Sequence, residues 1–425
     1  MRKSSVVSFF VLGFIFVFIN LKISDHFYPK GFSWAINTSS DAEGYYQYLP
    51  NFFINDNILH QPYGAQLENG CRLDKYTCGV ALLEAPFFFL AHTVTIINHH
   101  KSKGFDNIYG YFVVIAACVY MYIALFVLFR IITRRFGEFI ALISVVSIYL
   151  GTNLFYYTIN EAGLSHTYSF FCFVMFIYFV GKYYEQKNLK NIIGLSIFLA
   201  IATLIRPTNI LLLLLFLFYE IYTIQDFKQC VVFHLKHYYN FIIILIVGLI
   251  VFSPQIAYWY ALTGKFIFYS YQNETFSNWN SPKIIEVLVG HKSGWLLYSP
   301  IMVFSLIGLV IAIKNKMLSA PAIFIIFIVI LYVCASWWAY TFGCAFGYRS
   351  FSEYSAILIF PMALFFHKVF WSKKTLFKLL LFVALIVCIY YNLKLTRLYY
   401  LSGGCWDGPN WYWSDYIEKL KLVLK

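Results

Sequence analysis

The 425-residue chain is 61% hydrophobic and 22% aromatic with only 12% charged residues, about half the charged share of an ordinary soluble domain, which excludes a conventional water-soluble enzyme. Its formal net charge of +13 does not imply nucleic-acid binding, because Lys and Arg fall in short clusters between apolar runs rather than in one stripe with interleaved aromatics. Apolar runs of bilayer-spanning length recur from end to end, so the expected fold is an all-α polytopic membrane protein with about eleven transmembrane helices, one integral-membrane domain over residues 1–425.

Met1-Arg2-Lys3 precedes an apolar run from Val6 to Ile23. Ser33-Trp34-Ala35 has the form of a signal-peptidase site but lies too far beyond that run, so an uncleaved signal anchor with a cytoplasmic amino terminus is expected. Residues 24–108 then form a long first extracytoplasmic loop. Within it, Ser39 to Pro50 carries Asp41 and Glu43 ahead of Gly44 and Tyr45. The apolar run Gly79–Ile97 contains Glu84, Pro86 and His92, groups that a lipid-exposed spanning helix would leave in hydrocarbon. Gln61 to Ile97 is therefore expected to form helices lying at the membrane surface.

That choice fixes the orientation of everything downstream. With Gly79–Ile97 kept outside, Arg130, Arg134 and Arg135 close a helix from about Tyr109 on the cytoplasmic side. The clusters at Lys182, Lys187 and Lys190, at Lys228 and Lys236, at Lys314 and Lys316, and at Lys373, Lys374 and Lys378 then fall inside too, as the positive-inside rule demands. The remaining spans are expected at Phe139–Tyr157, Leu164–Tyr183, Asn191–Ile205, Asn209–Thr223, Tyr238–Leu262, Gly294–Ile313, Pro321–Trp338, Glu353–Trp371 and Thr375–Leu393. Asn191–Ile205 and Asn209–Thr223 are short for a bilayer and meet at Arg206-Pro207, which suggests half-depth helices around a cavity. Residues 394–425 form an extracytoplasmic tail.

Cys118, Cys172, Cys334 and Cys388 fall within spans and Cys71, Cys78, Cys344 and Cys405 outside, where disulfides persist. A Cys71–Cys78 bridge is expected first and Cys344–Cys405 second.

Sorting polar residues by side brings Asp41, Glu43, Glu161, His166, Arg206, His291, Lys292, Arg349 and Glu353 to the extracytoplasmic face. Charges at membrane depth are costly and usually face a cavity or a partner. Asp41 and Glu43 can cap a helix or serve a site. Arg206 and Arg349 can snorkel to headgroups or hold a phosphate, which a rigid guanidinium fork matches. Glu353, four residues after Arg349, could pair with it at helical spacing. Glu161 and His166 suit a turn, or a catalytic or metal-binding role, with Asp41, Glu43, Glu161 and His166 as the candidate set for a divalent cation. The Asn- and Trp-rich loop before His291-Lys292 suits sugar binding. The chain contains no Gly-x-x-x-x-Gly-Lys-Ser/Thr phosphate loop, no Gly-x-Ser-x-Gly elbow and no His-Glu-x-x-His zinc helix.

Through Asp41-Ala-Glu43-Gly44-Tyr45-Tyr46, Glu161 to His166, Arg206-Pro207 and Gly347-Tyr348-Arg349, and through its layout, the chain resembles the integral-membrane glycosyltransferases of the GT-C fold. Protein O-mannosyltransferases and lipid A aminoarabinose transferases are the best-known relatives. It has Asp-Ala-Glu in place of their adjacent Asp-Glu, and Glu84-Ala85-Pro86 in place of a Lys-Pro-Pro motif, with Lys75 earlier. The resemblance implies a sugar on a polyprenyl phosphate as donor and a glycan, lipid or protein hydroxyl as acceptor, in a bacterial plasma membrane. It also implies Asp41 as general base with Glu43 as helper, Arg206 and Arg349 on the donor phosphate, and Tyr45, Glu161, His166, His291 and Lys292 near acceptor or sugar. No cofactor is required beyond a possible divalent cation. The alternative is a transporter or flippase of lipid-linked saccharides, which would need polar groups along a path through the membrane.

Overall fold

A computed structural model describes residues 3–27, 31–36 and 41–423. Residues 37–40, immediately ahead of Asp41, lie outside the described residues. Among the described residues the regular structure is almost wholly helical. Helix α1 (Lys3–Phe27) is followed by two short helices, α2 (Asp41–Tyr46) and α3 (Tyr48–Phe53). A small antiparallel hairpin, β1 (Ala65–Gln66) with β2 (Arg72–Leu73), precedes α4 (Gly79–Ile97). Residues 61–78, expected to be helical, thus form a hairpin and connecting turns; Pro62, Gly64 and Asn69-Gly70 break the helical pattern there.

The main bundle continues with α5 (Asn107–Phe136), α6 (Glu138–Gly151), α7 (Leu154–Ile159), α8 (Ser165–Glu185) and α9 (Leu189–Ile205). Pro207 forces Arg206 into an extended conformation and ends α9. The chain returns through a 3-10 stretch, Pro207–Leu212, and α10 (Leu213–Leu217). These short pieces still join the two ends of the bundle: Arg206 reaches Ser165 at the start of α8, and Phe216 accepts from Tyr184 near its end. A 3-10 turn rises about 2.0 Å per residue against 1.5 Å for an α-helix, which lengthens the reach. The expected break at Arg206-Pro207 is present, and the second short span is a 3-10 stretch followed by a short α-helix rather than one regular helix over Asn209–Thr223.

After α10 come α11 (Ile224–Lys236), α12 (Tyr239–Thr263), α13 (Ile284–Val289), α14 (Trp295–Tyr298), α15 (Met302–Lys314), α16 (Ala320–Ser336), α17 (Ser355–Phe370), α18 (Thr375–Leu401) and α19 (Trp413–Val423). Among the described residues five helical stretches are long and apolar enough to cross a membrane: Val7–Asp25, Gly79–Ile97, Asn107–Phe136, Tyr239–Thr263 and Thr375–Leu401. Large apolar side chains such as Phe14, Leu249 and Val387 stand exposed on their outer faces, as lipid contact requires.

The bundle has two chemically distinct ends. At one, Arg134 lies 3.7 Å from Glu185, Phe136 packs on His367, and Glu220 is hydrogen-bonded through its backbone to Ser319. This end gathers the basic clusters of the loops after α5, α8, α10, α15 and α17. The other end gathers α2, the hairpin, and the turns at Arg206 and Arg349. Both termini of α4 lie there: Gly79 abuts Ile205, and His92 hydrogen-bonds to Tyr109 at the start of α5 at 2.8 Å. Although long enough to span, α4 stays on the side of the bundle away from the basic clusters.

Cys71 and Cys78 are free thiols, against expectation, and Cys344 and Cys405 are disulfide-bonded. The first pair is held apart because each belongs to a different anchor. Cys71 closes the hairpin through Leu67, whereas the Cys78 amide donates to Gln255 of α12. The Cys344–Cys405 bond ties the turn after α16 to the tail, and Asp407 reinforces it by accepting from the Cys344 amide at 3.0 Å. Cys405→Ser is expected to destabilise the protein by about 2–4 kcal/mol, given the long loop closed. Thermal unfolding with and without reductant checks this: wild type should lose stability on reduction and the variant should not respond.

Candidate active site

Asp41 opens α2, and the helix is pinned by contacts that only a glycine at position 44 permits. A Cβ there would lie 2.5 Å from the Tyr76 ring. This close approach lets the Tyr76 hydroxyl donate to Asp41 Oδ1 at 2.5 Å. The other oxygen, Oδ2, pairs with Arg349 Nη1 at 3.1 Å. Arg349 is delivered by a turn that begins at Gly347, whose φ of +63° suits glycine.

A second polar cluster lies beside the first. Arg206 donates through Nε to Ser165 at 3.1 Å and through Nη1 to Ser350 at 3.4 Å and Glu353 Oε1 at 3.3 Å. Its Nη2 faces His166 Nε2 at 3.3 Å. A guanidinium has no acceptor, so Nε2 must accept, and the proton of a neutral imidazole sits on Nδ1. From there it donates to Glu353 Oε2 at 3.3 Å. Glu353 thus pairs with Arg206 and not with Arg349. Arg349–Phe351 is a 3-10 turn ahead of α17, so the helical spacing that would bring residues 349 and 353 together is not present.

Asp41, Arg206 and Arg349 open onto one cavity of about 420 Å³, together with Tyr45, Lys75 and Tyr76. One side is aromatic and apolar, contributed by Tyr271, Phe276, Trp337 and Phe342. Lys75 pairs with Glu274 at 2.5 Å and stacks over the Tyr271 ring. Sequence reasoning missed Tyr76, Glu274, Trp337 and Phe342; it marked the loop before His291 as suited to sugar binding without naming Tyr271 or Phe276, and it placed Lys75 only by comparison with a motif. The signal available was the aromatic density of residues 269–279, which contain Tyr269, Tyr271, Phe276 and Trp279.

Other candidates fall elsewhere. Glu43 does not line the cavity. His291 and Lys292 bind the tail, through the Trp411 carbonyl at 3.0 Å and the Gly408 carbonyl at 3.2 Å, so they brace α19 and do not address a ligand in this cavity. His166, which is buried, and Glu161, which is half-buried, do not line it. Among the described residues no three His, Cys, Asp or Glu side chains converge as metal ligands. Asp41, Glu43, Glu161 and His166 do not form the cation set expected, because Asp41 faces Arg349 while His166 faces Arg206 and Glu353.

The two outer carboxyls differ in proton affinity. Burial raises Asp41, but the Arg349 guanidinium, the Tyr76 hydroxyl, Lys75 and Arg206 outweigh it and hold the group below its usual range. Glu161, in the turn before α8, is pushed up to about 7 by burial, with Arg349 and the Tyr156 hydroxyl pulling the other way. A carboxyl raised from 4.5 to about 7 stabilises the fold in its neutral form. That contribution is complete below the unfolded value and is lost as pH rises through about 7. The melting temperature should therefore fall between about pH 5 and pH 8, and Glu161→Gln should flatten that slope.

Residues 105–259 match the family model of dolichyl-phosphate-mannose-protein mannosyltransferase, a glycosyltransferase domain of the GT-C type. The matched stretch runs from the start of α5 into α12 and contains Glu161, His166 and Arg206; Asp41 and Arg349 lie outside it. No curated protein and no solved structure matches the chain.

Proposed function

We propose that the chain is a membrane glycosyltransferase that moves a sugar from a polyprenyl phosphate to an acceptor hydroxyl at the extracytoplasmic face. The observation that carries this reading is the meeting of Asp41, Arg206 and Arg349 on one cavity, beside a stretch that matches a glycosyltransferase family. The basic clusters at the opposite end of the bundle support an extracytoplasmic cavity, since such clusters favour the cytoplasmic side.

The division of labour follows from the wall chemistry. Asp41 accepts the proton of the acceptor hydroxyl as that oxygen attacks the anomeric carbon and the bond to the lipid phosphate breaks. Its depressed proton affinity keeps it ionised at neutral pH. Arg206 and Arg349 stabilise the departing phosphate, whose charge grows as the bond breaks. Tyr271, Trp337 and Phe342 offer faces for a sugar ring and the first isoprene units. Nothing in this scheme requires polar groups along a path through the helices, which a flippase would need.

The reading is tested by incubating purified protein with a polyprenyl-phosphate-linked sugar and following release of polyprenyl phosphate. Donor- and acceptor-dependent release is expected. Net movement of intact donor across a bilayer with no release would overturn the reading in favour of transport.

A further inference from the structure

Among the described residues every cation that lines the cavity already has a carboxylate partner: Lys75 with Glu274, Arg206 with Glu353, and Arg349 with Asp41. An entering anion therefore finds no spare positive charge, and burying one in a balanced site is costly unless some pair opens. The three pairs are unequally fastened. Arg206 contacts Ser165, Ser350, His166 and Glu353, and Glu353 is only 1% exposed. Lys75 is held between the Tyr76 and Tyr271 rings as well as by Glu274. Arg349 meets Asp41 through Nη1 alone, and its buried Nε has no hydrogen-bond partner among the described residues. Asp41, for its part, would keep a holder if Arg349 left, because Tyr76 binds its other oxygen.

We infer that the donor phosphate takes Arg349 from Asp41, so that arrival of the donor frees the base and Tyr76 alone keeps it aimed into the cavity. This deepens the transferase reading and rests on it. Arg349 is then an exchangeable cation with two successive partners, whereas Arg206 is a fixed one braced by Glu353 and His166. Binding is ordered in consequence. Before the donor arrives, the ion pair occupies the carboxylate that the acceptor hydroxyl needs. Once phosphate has claimed the guanidinium, Oδ2 of Asp41 is open and its proton affinity recovers, since the largest charge holding it down has moved to the phosphate.

The test measures the affinity of detergent-solubilised protein for polyprenyl phosphate, the sugar-free lipid, so that no turnover is needed. Asp41→Asn releases Arg349 beforehand and should tighten binding roughly tenfold. Asp41→Ala should do the same, so the result does not hang on one substitution, and a gain in affinity cannot arise from unfolding. Arg349→Gln should weaken binding, and in that background Asp41→Asn should bring no gain. Unchanged or weaker binding in both Asp41 variants overturns the exchange while leaving the transferase reading intact. A gain that persists without Arg349 also overturns it, since the cause would then be the loss of a nearby negative charge in general. Failure of the wild-type protein to bind polyprenyl phosphate overturns the exchange and the transferase reading together.

Discussion

Asp41→Asn is expected to lower turnover by about 10³-fold or more, while the protein remains folded and able to bind donor lipid. The substitution keeps the shape of the side chain and leaves an oxygen to accept from the Tyr76 hydroxyl, so α2 has no reason to move. What it removes is the capacity to accept a proton. Release of polyprenyl phosphate, measured beside donor affinity on the same preparation, separates the two effects. Near-normal turnover in this variant would deprive Asp41 of its role. Glu43→Gln provides the contrast: Glu43 does not line the cavity, and a change of only a few-fold is expected.

Arg206→Gln should produce the largest loss of stability together with loss of donor binding. Glu353 is 1% exposed, and without the guanidinium its carboxylate would be buried next to a neutral histidine. Removing one partner of a buried ion pair typically costs about 3–5 kcal/mol, because the remaining charge is left without compensation. Lysine should not rescue the site. The arginine uses three nitrogens in three directions, towards Ser165, towards Ser350 and Glu353, and towards His166, and a single ammonium cannot reproduce that fork. A double variant, Arg206→Gln with Glu353→Gln, divides the two effects. It should recover most of the stability, since the stranded charge is gone, and none of the affinity for polyprenyl phosphate. Equal recovery of both would show that Arg206 acts only through the fold.

Much of the helical layout could be read in advance, because a bilayer imposes its demands locally. Nearly every expected span has a helix in its place, from α1 to α18, and the short pair around Arg206-Pro207 is broken where proline requires. The Gln61–Ile97 segment was only half legible. Its apolar part is α4, but the preceding residues obey turn chemistry, and the hairpin they form has strands too short for an alternating pattern to show.

Part of the cavity's charged lining was legible in the sequence, and the pairing of those charges was not. Asp41, Arg206 and Arg349 could be gathered by side, since charge bias and span parity decide which loops share a face. Which carboxylate meets which arginine could not be found that way. Arg206 and Glu353 stand 147 residues apart, and the nearer candidate, Arg349, turns away because its segment is a 3-10 turn. His291 and Lys292 looked like ligands for the same reason that Cys71 and Cys78 looked like a bridge: each pair was gathered by side, and side carries no information about which element a residue anchors. His291 and Lys292 make their decisive contacts with the tail and Cys78 with α12, while Cys71 stays with its own hairpin through Leu67.

By itself, then, the sequence determined that this chain is a helical membrane protein, which end of the bundle its basic loops share, and which charged residues face the other end. Hydropathy, span length and Lys/Arg bias are properties of consecutive residues and survive without knowledge of packing. Only the tertiary structure decided that Tyr76 and Arg349 share the oxygens of Asp41, that Glu353 and His166 brace Arg206, and that Asp41, Tyr76, Arg206 and Arg349 line one cavity, which Glu353 and His166 do not. Those pairings depend on side-chain directions set by turns far apart in the chain, and at hydrogen-bond range a shift of a single ångström makes or removes them.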